Sequence, residues 1–186
     1  MGALSMRDVI ERDAWITPDG VHRYVLTRIW QPGVARVVWI GLNPSTADAE
    51  KDDMTIVKMM VFAANWGFGG IDVVNLFALR ATDPSEVRHA ENQAHAVGPR
   101  NDETILRAIS QPAVGKIVLG WGDPQGIPQL WGRKLVVLRA IRDQGKETYC
   151  LGLTATGEPR HPSRLAYSTR LHRVAWDPVI GMRLVT

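Results

Sequence analysis

Cysteine is almost missing from this chain. One residue, Cys150, occurs in 186, so no internal disulfide can form. Its place inside an apolar run marks a buried, inert thiol rather than a nucleophile. One Cys and five scattered His are too few and too dispersed for a zinc site, and nothing in the sequence demands another metal or a cofactor. No window holds about 18 consecutive apolar residues, which excludes a membrane-spanning helix. The start, MGALSMRDVIERDAW, lacks a basic stretch followed by an apolar one. It is therefore not a secretory signal, and Met6 is a second candidate start. These absences point to the cytoplasm. Internal repeats, low-complexity tracts and long linkers are missing too, so the expectation is a single domain over residues 1–186. Within it, 1–13 form a leader or poorly ordered segment, 14–30 a hairpin and 36–178 an α/β core.

The composition present is that of a globular protein, 45% hydrophobic and 22% charged. The net charge is only +3, but it is unevenly spread. From Arg133 onward there are ten Lys and Arg against four Asp and Glu, a net of +6, which leaves −3 for the rest. Arg, at seventeen against five Lys, is the better residue for bidentate phosphate contacts. The basic C-terminal third fits either an anionic partner, nucleic acid or nucleotide, or a plain solvated face. The oligomeric state is not legible.

Hydrophobic periodicity gives the elements. AWIT and VHRYVLTRIW flank a Pro-Asp-Gly turn and read as a β-hairpin. RVVWIGL (36–42), IDVVNLFAL (71–79), GKIVLGWG (115–122) and ETYCLGL (147–153) are continuous apolar runs, the pattern of strands covered on both faces. Between them lie a helix over 52–67 capped by Asp52 or Asp53, one from TDPSEVRHAENQ with Pro84 near its first position and Asp83 as its cap, one from RNDETILRAIS capped at Asn101 or Asp102, and QLWGRKLVVLRAIRDQG with a basic edge. A short helix is expected near Leu165. Alternating strands and helices imply parallel strands and right-handed crossovers. The expectation is a three-layer α/β/α sandwich, with a mainly parallel four-stranded central sheet and the hairpin at one edge.

Ligands of such sheets bind beyond the carboxyl ends of the strands. Here GLNPSTAD, NLFALRATDP, GWGDPQG and TATGEPRHPSR all follow strand ends and meet on one rim. Asn43-Pro44 suits a plain turn as well as a site. Asn75 suits a backbone-satisfied position as well as a reader of polar groups. His161, beside Pro162 in a basic Gly/Pro loop, is hard to place in a core. His22, His89, His95 and His172 have no comparable context. Arg80 and Asp83 fit a loop-fixing ion pair or a part of the site.

GLNPSTAD, NLFA-x-RATDP, VGP-x-ND, a Trp-Gly turn and a final RHP together resemble an uncharacterised family of small bacterial and phage proteins, over roughly residues 14 to 178. The motif order also resembles, more distantly, the uracil-DNA glycosylase superfamily. The matching positions are Gly41-Leu42-Asn43-Pro44, Asn75, Leu119-Gly120-Trp121-Gly122 and His161-Pro162-Ser163-Arg164-Leu165. That resemblance implies a glycosylase-like fold and a site that hydrolyses an N-glycosidic bond on a flipped base. It gives Asn43 the role of holding the water and His161 that of stabilising the departing base. Gly41, Pro44, Ser45, Asn75, Ser163 and Leu165 would contact substrate, Asn75 reading a base edge and Leu165 filling the vacated stack. Arg160, Arg164 and Arg80 would meet phosphates. Asn43 stands where a carboxylate is found in part of that superfamily, so a water-activating acid is missing unless Asp48, Asp52 or Asp53 provides one. Arg164 replaces a second proline of the last motif. Phe68, Phe77 and Trp121 are the candidates to stack on a base, with Trp121 more plausible as core. Two other functions fit the same motifs: a catalytically silent nucleic-acid-binding module of this fold, and a small-molecule nucleoside or nucleotide enzyme.

Overall fold

We describe the chain from a computed structural model, which covers residues 8–83, 85–123, 126, 127 and 130–185. Pro84 and residues 1–7, including Met6, lie outside the described residues. The hairpin forms from β1 (Glu11–Ile16) and β2 (Arg23–Ile29). Its turn works as its composition suggests: Gly20 takes φ +75°, and the Asp19 carboxylate accepts from Val21 N and Thr17 Oγ1. Because β1 begins at Glu11, residues 11–13 belong to the hairpin and not to a leader.

The sheet differs from the expected one in size and composition. It has eight strands in the order β1-β2-β4-β3-β5-β6-β7-β8 and is mixed. Its middle is parallel: β4 (Gly70–Asn75), β3 (Arg36–Gly41), β5 (Val114–Leu119) and β6 (Thr148–Cys150). The N-terminal hairpin extends one side through antiparallel β2–β4 pairing. A second hairpin, β7 (His172–Asp177) and β8 (Gly181–Leu184), extends the other side through antiparallel β6–β7 pairing. This hairpin turns where Asp177 accepts from Val179 N and Ile180 N and Gly181 takes φ +89°.

Along β3 the period of two is strict. Val37 and Trp39 enter one core with α1 (Met54–Asn65), while Val38 and Ile40 enter the other with α4 (Asn101–Ser110) and α5 (Leu130–Asp143). Helices therefore cover both faces, which is why the parallel strands carry no polar side. Asp53 caps α1, its Oδ1 accepting from Thr55 N and Ile56 N at 2.9 Å each. The segment expected as one helix after Asp83 is two short pieces, α2 (Ser85–Arg88) and α3 (Gln93–Val97), because Asn92 breaks the run and caps the second by accepting from His95 N. Asp83 does cap the first, accepting from Ser85 N. Neither Asn101 nor Asp102 caps α4; Arg100 holds that position without a side-chain bond. Asn101 is buried instead, its amide donating to the carbonyls of Asn75 and Leu76. These carbonyls stand where β4 ends and need donors. Beyond His161 the chain makes one 3-10 turn, Pro162–Arg164, rather than a helix. Cys150 is fully buried, and burial pushes its thiol pKa up.

Two buried ion clusters lock the hairpin to the sheet. Asp52 accepts from Arg28 Nε and Arg12 Nη1 at 2.8 Å each, with Arg28 and Asp52 side chains fully buried. Asp72, 3.3 Å from Arg36 Nε, also accepts from Thr27 Oγ1; burial raises its pKa, with both partners opposing the rise.

Among the described residues, no helix is long and apolar enough to cross a membrane. None of these residues form a group of three or more His, Cys, Asp and Glu that could hold a metal ion.

Candidate functional site

The carboxyl ends of β3, β4 and β5 and the loop after β6 surround one cavity of about 620 Å³. Its wall contains Gly41, Asn43, Ser45, Asn75, Arg160, His161, Ser163, Arg164 and Leu165. Nine of the eleven residues expected at the site are thus brought together. Pro44 and Arg80 are not. The Pro44 carbonyl accepts from Asn43 Nδ2 and Ala81 N, fixing the turn. Arg80 Nη1 donates to Gly20 O and steadies the hairpin turn; no ion pair joins Arg80 to Asp83 among the described residues.

Glycine is required where β3 meets the cavity. A Cβ on Gly41 would lie 2.6 Å from Asn75 Oδ1, well inside contact distance. Asn75 is buried at the end of β4, with only 3% of its surface exposed, and its Nδ2 has no partner among the described residues. We expect Gly41→Ala to displace Asn75 and cost about 1–3 kcal/mol by chemical denaturation; a variant as stable as wild type would show that the turn yields freely.

Asn43 commits both protons of Nδ2, to Ala81 O at 2.8 Å and Pro44 O at 3.1 Å. What it can offer a ligand is its carbonyl oxygen, an acceptor. His161 offers the opposite. Its Nδ1 accepts from Ser163 N at 3.3 Å and lies 2.8 Å from Ser163 Oγ. A backbone N–H can donate only to an unprotonated ring nitrogen, so the neutral ring carries its proton on Nε2. Burial lowers the His161 pKa from its ordinary value; Arg164 lowers it further, and Asp53 opposes the shift. The ring is therefore a neutral donor at neutral pH. A Cβ on Gly122 would approach His161 Cβ to 3.2 Å, so the Trp-Gly turn gives the His-Pro loop its room.

Of the three carboxylates considered as water activators, one reaches the cavity. Asp48 is spent on its own turn, accepting from Glu50 N and Lys51 N, contacts that lower its pKa. Asp52 is consumed by the arginine cluster. Asp53 lines the cavity. Its Oδ1 caps α1, and its second oxygen has no hydrogen bond among the described residues.

The stacking candidates separate clearly. Phe68 packs at Gly115, the amino end of β5, away from the rim. Phe77 is fully buried in the core of the α4 and α5 face. Trp121 forms part of the cavity wall but is 2% exposed, its Nε1 donating to Glu158, which also pairs with Lys134. Leu165 is 5% exposed and packs on the α1 face, so it projects no wedge in this conformation.

Sequence reasoning missed Arg23. It belongs to β2, lines the cavity, and is 2% exposed. Burial lowers its pKa to about 10, Asp53 and Asp48 opposing and Arg80 and Arg28 adding to the shift. It remains a cation at neutral pH. No local signal marked it: that Arg23 and Tyr24 are adjacent and both buried, against strand alternation, is visible only in the folded chain.

A family model described as "Protein of unknown function (DUF1643)" matches residues 23–163. That span holds the GLNPSTAD, NLFALRATDP and His161-Pro162 motifs. No curated protein and no solved structure matches the chain.

Proposed function

Because the chain belongs to this family, whose description carries no activity to transfer, we propose from the motif resemblance and the site together that the protein is a nucleobase- or nucleotide-directed hydrolase. It cuts an N-glycosidic bond in a uracil-DNA-glycosylase-like site. One observation carries the reading: acceptors suited to a water (the Asn43 carbonyl oxygen and the second oxygen of Asp53) share a cavity with a neutral His161 donor.

The chemistry follows from that polarity. A water held by Asn43 attacks the anomeric carbon while Asp53 takes its proton. The electrons of the C–N bond pass to the base, and His161 Nε2–H donates to the carbonyl oxygen where negative charge gathers. Asn75, buried in the same wall with an unused amide, offers a further donor to an acceptor on the substrate. The exposed Arg160 and Arg164 at the mouth suit flanking phosphates. A silent nucleic-acid-binding module would need only these exposed arginines. It gives no account of why Asn75 is buried at the cavity without a partner.

The test is a single-turnover incubation with labelled oligonucleotides bearing uracil, hypoxanthine, mismatched thymine or alkylated bases, single- and double-stranded, with free nucleosides and nucleotides alongside. Release of a base from at least one is expected. Salt-sensitive binding with no release from any substrate would favour the silent module and overturn the hydrolase.

A further inference from the structure

We propose that Arg23 and Asn75 form an oxyanion subsite on the inner wall of the cavity, which takes the phosphate of a small phosphate monoester such as a nucleoside monophosphate. This goes beyond the hydrolytic reading: it concerns what the cavity holds, and stands whichever bond is cut there.

Among the described residues, the other two arginines buried as deeply, Arg28 and Arg133, each pair with a carboxylate. Arg28, fully buried, pairs with Asp52 and donates to the carbonyls of Asp13, Thr27 and Asp48. Arg133, 3% exposed, leaves Nη2 unpartnered but pairs with Asp102 and donates to Leu76 O. Arg23 is as buried but has one hydrogen bond, from Nη1 to Ala47 O at 2.8 Å. Its Nε is buried without a partner, and no carboxylate lies within ion-pair distance of it among the described residues. Asp53 acts on it electrostatically but spends one oxygen on the helix cap. Burying a cation without a counter-charge is unfavourable, and in this protein the cation lines a cavity.

Asn75 supplies the second, independent sign. Its Nδ2 is buried and unpartnered, and the residue lines the same cavity. Two unsatisfied donors in one cavity call for an acceptor, and the charge on one of them calls for an anion. The amino end of α1 also borders the cavity, but its Thr55 and Ile56 N–H groups are taken by the Asp53 carboxylate, so the anion is left to Arg23 and Asn75. A volume of about 620 Å³ lies in the usual range for small-molecule sites. An inner wall is reached by a terminal group, which favours a monoester over a phosphodiester backbone running across the mouth.

The experiment is calorimetric titration of the full chain at constant ionic strength. The ligands are inorganic phosphate, acetate, a nucleoside 5′-monophosphate, its nucleoside, and an oligonucleotide without terminal phosphate. Phosphate is expected to bind, and the monophosphate to bind at least about tenfold tighter than the nucleoside. Arg23→Gln is expected to erase that difference. Asn75→Asp, which places a carboxylate in the cavity, is expected to erase it too, and decides the matter should the arginine variant not fold. Equal affinity for monophosphate and nucleoside, an undiminished difference in the folded variants, or acetate binding tighter than phosphate would each overturn the subsite. So would an oligonucleotide that outcompetes the monophosphate. Loss of base release alongside an intact phosphate preference would defeat the hydrolytic reading alone.

Discussion

His161→Ala is expected to lower base release in single turnover by about 10²- to 10³-fold while leaving the protein folded. The size follows from the role. Charge accumulates on the departing base as the glycosidic bond breaks, and a preorganised donor in a partly dry cavity meets it without reorganisation. Ser163 N fixes the donor by occupying Nδ1 at 3.3 Å, which leaves the proton on Nε2. The fold loses only the cap of a 3-10 turn, so thermal stability should change by about 1 kcal/mol or less.

The same residue sets a pH dependence. Burial holds the His161 pKa below its ordinary 6.5, and the neutral form is the one the fold favours. Between that lowered pKa and 6.5 the unfolded chain binds a proton that the folded chain does not. Stability from this group is therefore full above pH 6.5 and falls as the pH drops toward the folded pKa. Activity that depends on a neutral His161 should persist at and somewhat below pH 6.5. An activity that rises as the pH drops through 6.5 would assign His161 a proton-donating role in its charged form.

Asp52→Ala is expected to destabilise the protein by about 3–5 kcal/mol in a denaturant titration. Among the described residues Asp52 is the only side-chain anion bonded to Arg28, and both are fully buried. Its other oxygen takes Arg12, which ties β1 to the start of α1. Removing the carboxylate leaves the Arg28 guanidinium in the interior with carbonyl partners alone. The loss falls on folding, since Asp52 lies outside the cavity wall. A change below about 1 kcal/mol would show that Arg28 relaxes to water.

Much of the rim was legible in the sequence, for a physical reason. Parallel strands need continuous apolar runs, and their ends need turn chemistry, so Gly41-Leu42-Asn43-Pro44 and His161-Pro162-Ser163 mark the boundary between core and loop directly. The edges of the sheet were harder. The β7–β8 hairpin is half-exposed, so its alternation is weak, and nothing local distinguishes it from a tail. The helix after Asp83 failed because Asn92 competes for the backbone in mid-run, a local effect that periodicity does not weigh. Arg23 could not be found at all: its meaning depends on Ala47 and the cavity, both remote in sequence. Asp53 was one of three neighbouring carboxylates, and only packing assigns Asp48 to a turn, Asp52 to the arginines and Asp53 to the site.

The most direct test of the account is a single turnover of the wild-type protein in ¹⁸O-labelled water, with products identified by mass spectrometry. Free base and one ¹⁸O on the anomeric carbon of the sugar are expected, both formed about 10²- to 10³-fold more slowly in His161→Ala. Substrate bound and recovered intact, or label incorporated into a phosphate instead of the sugar, would contradict it.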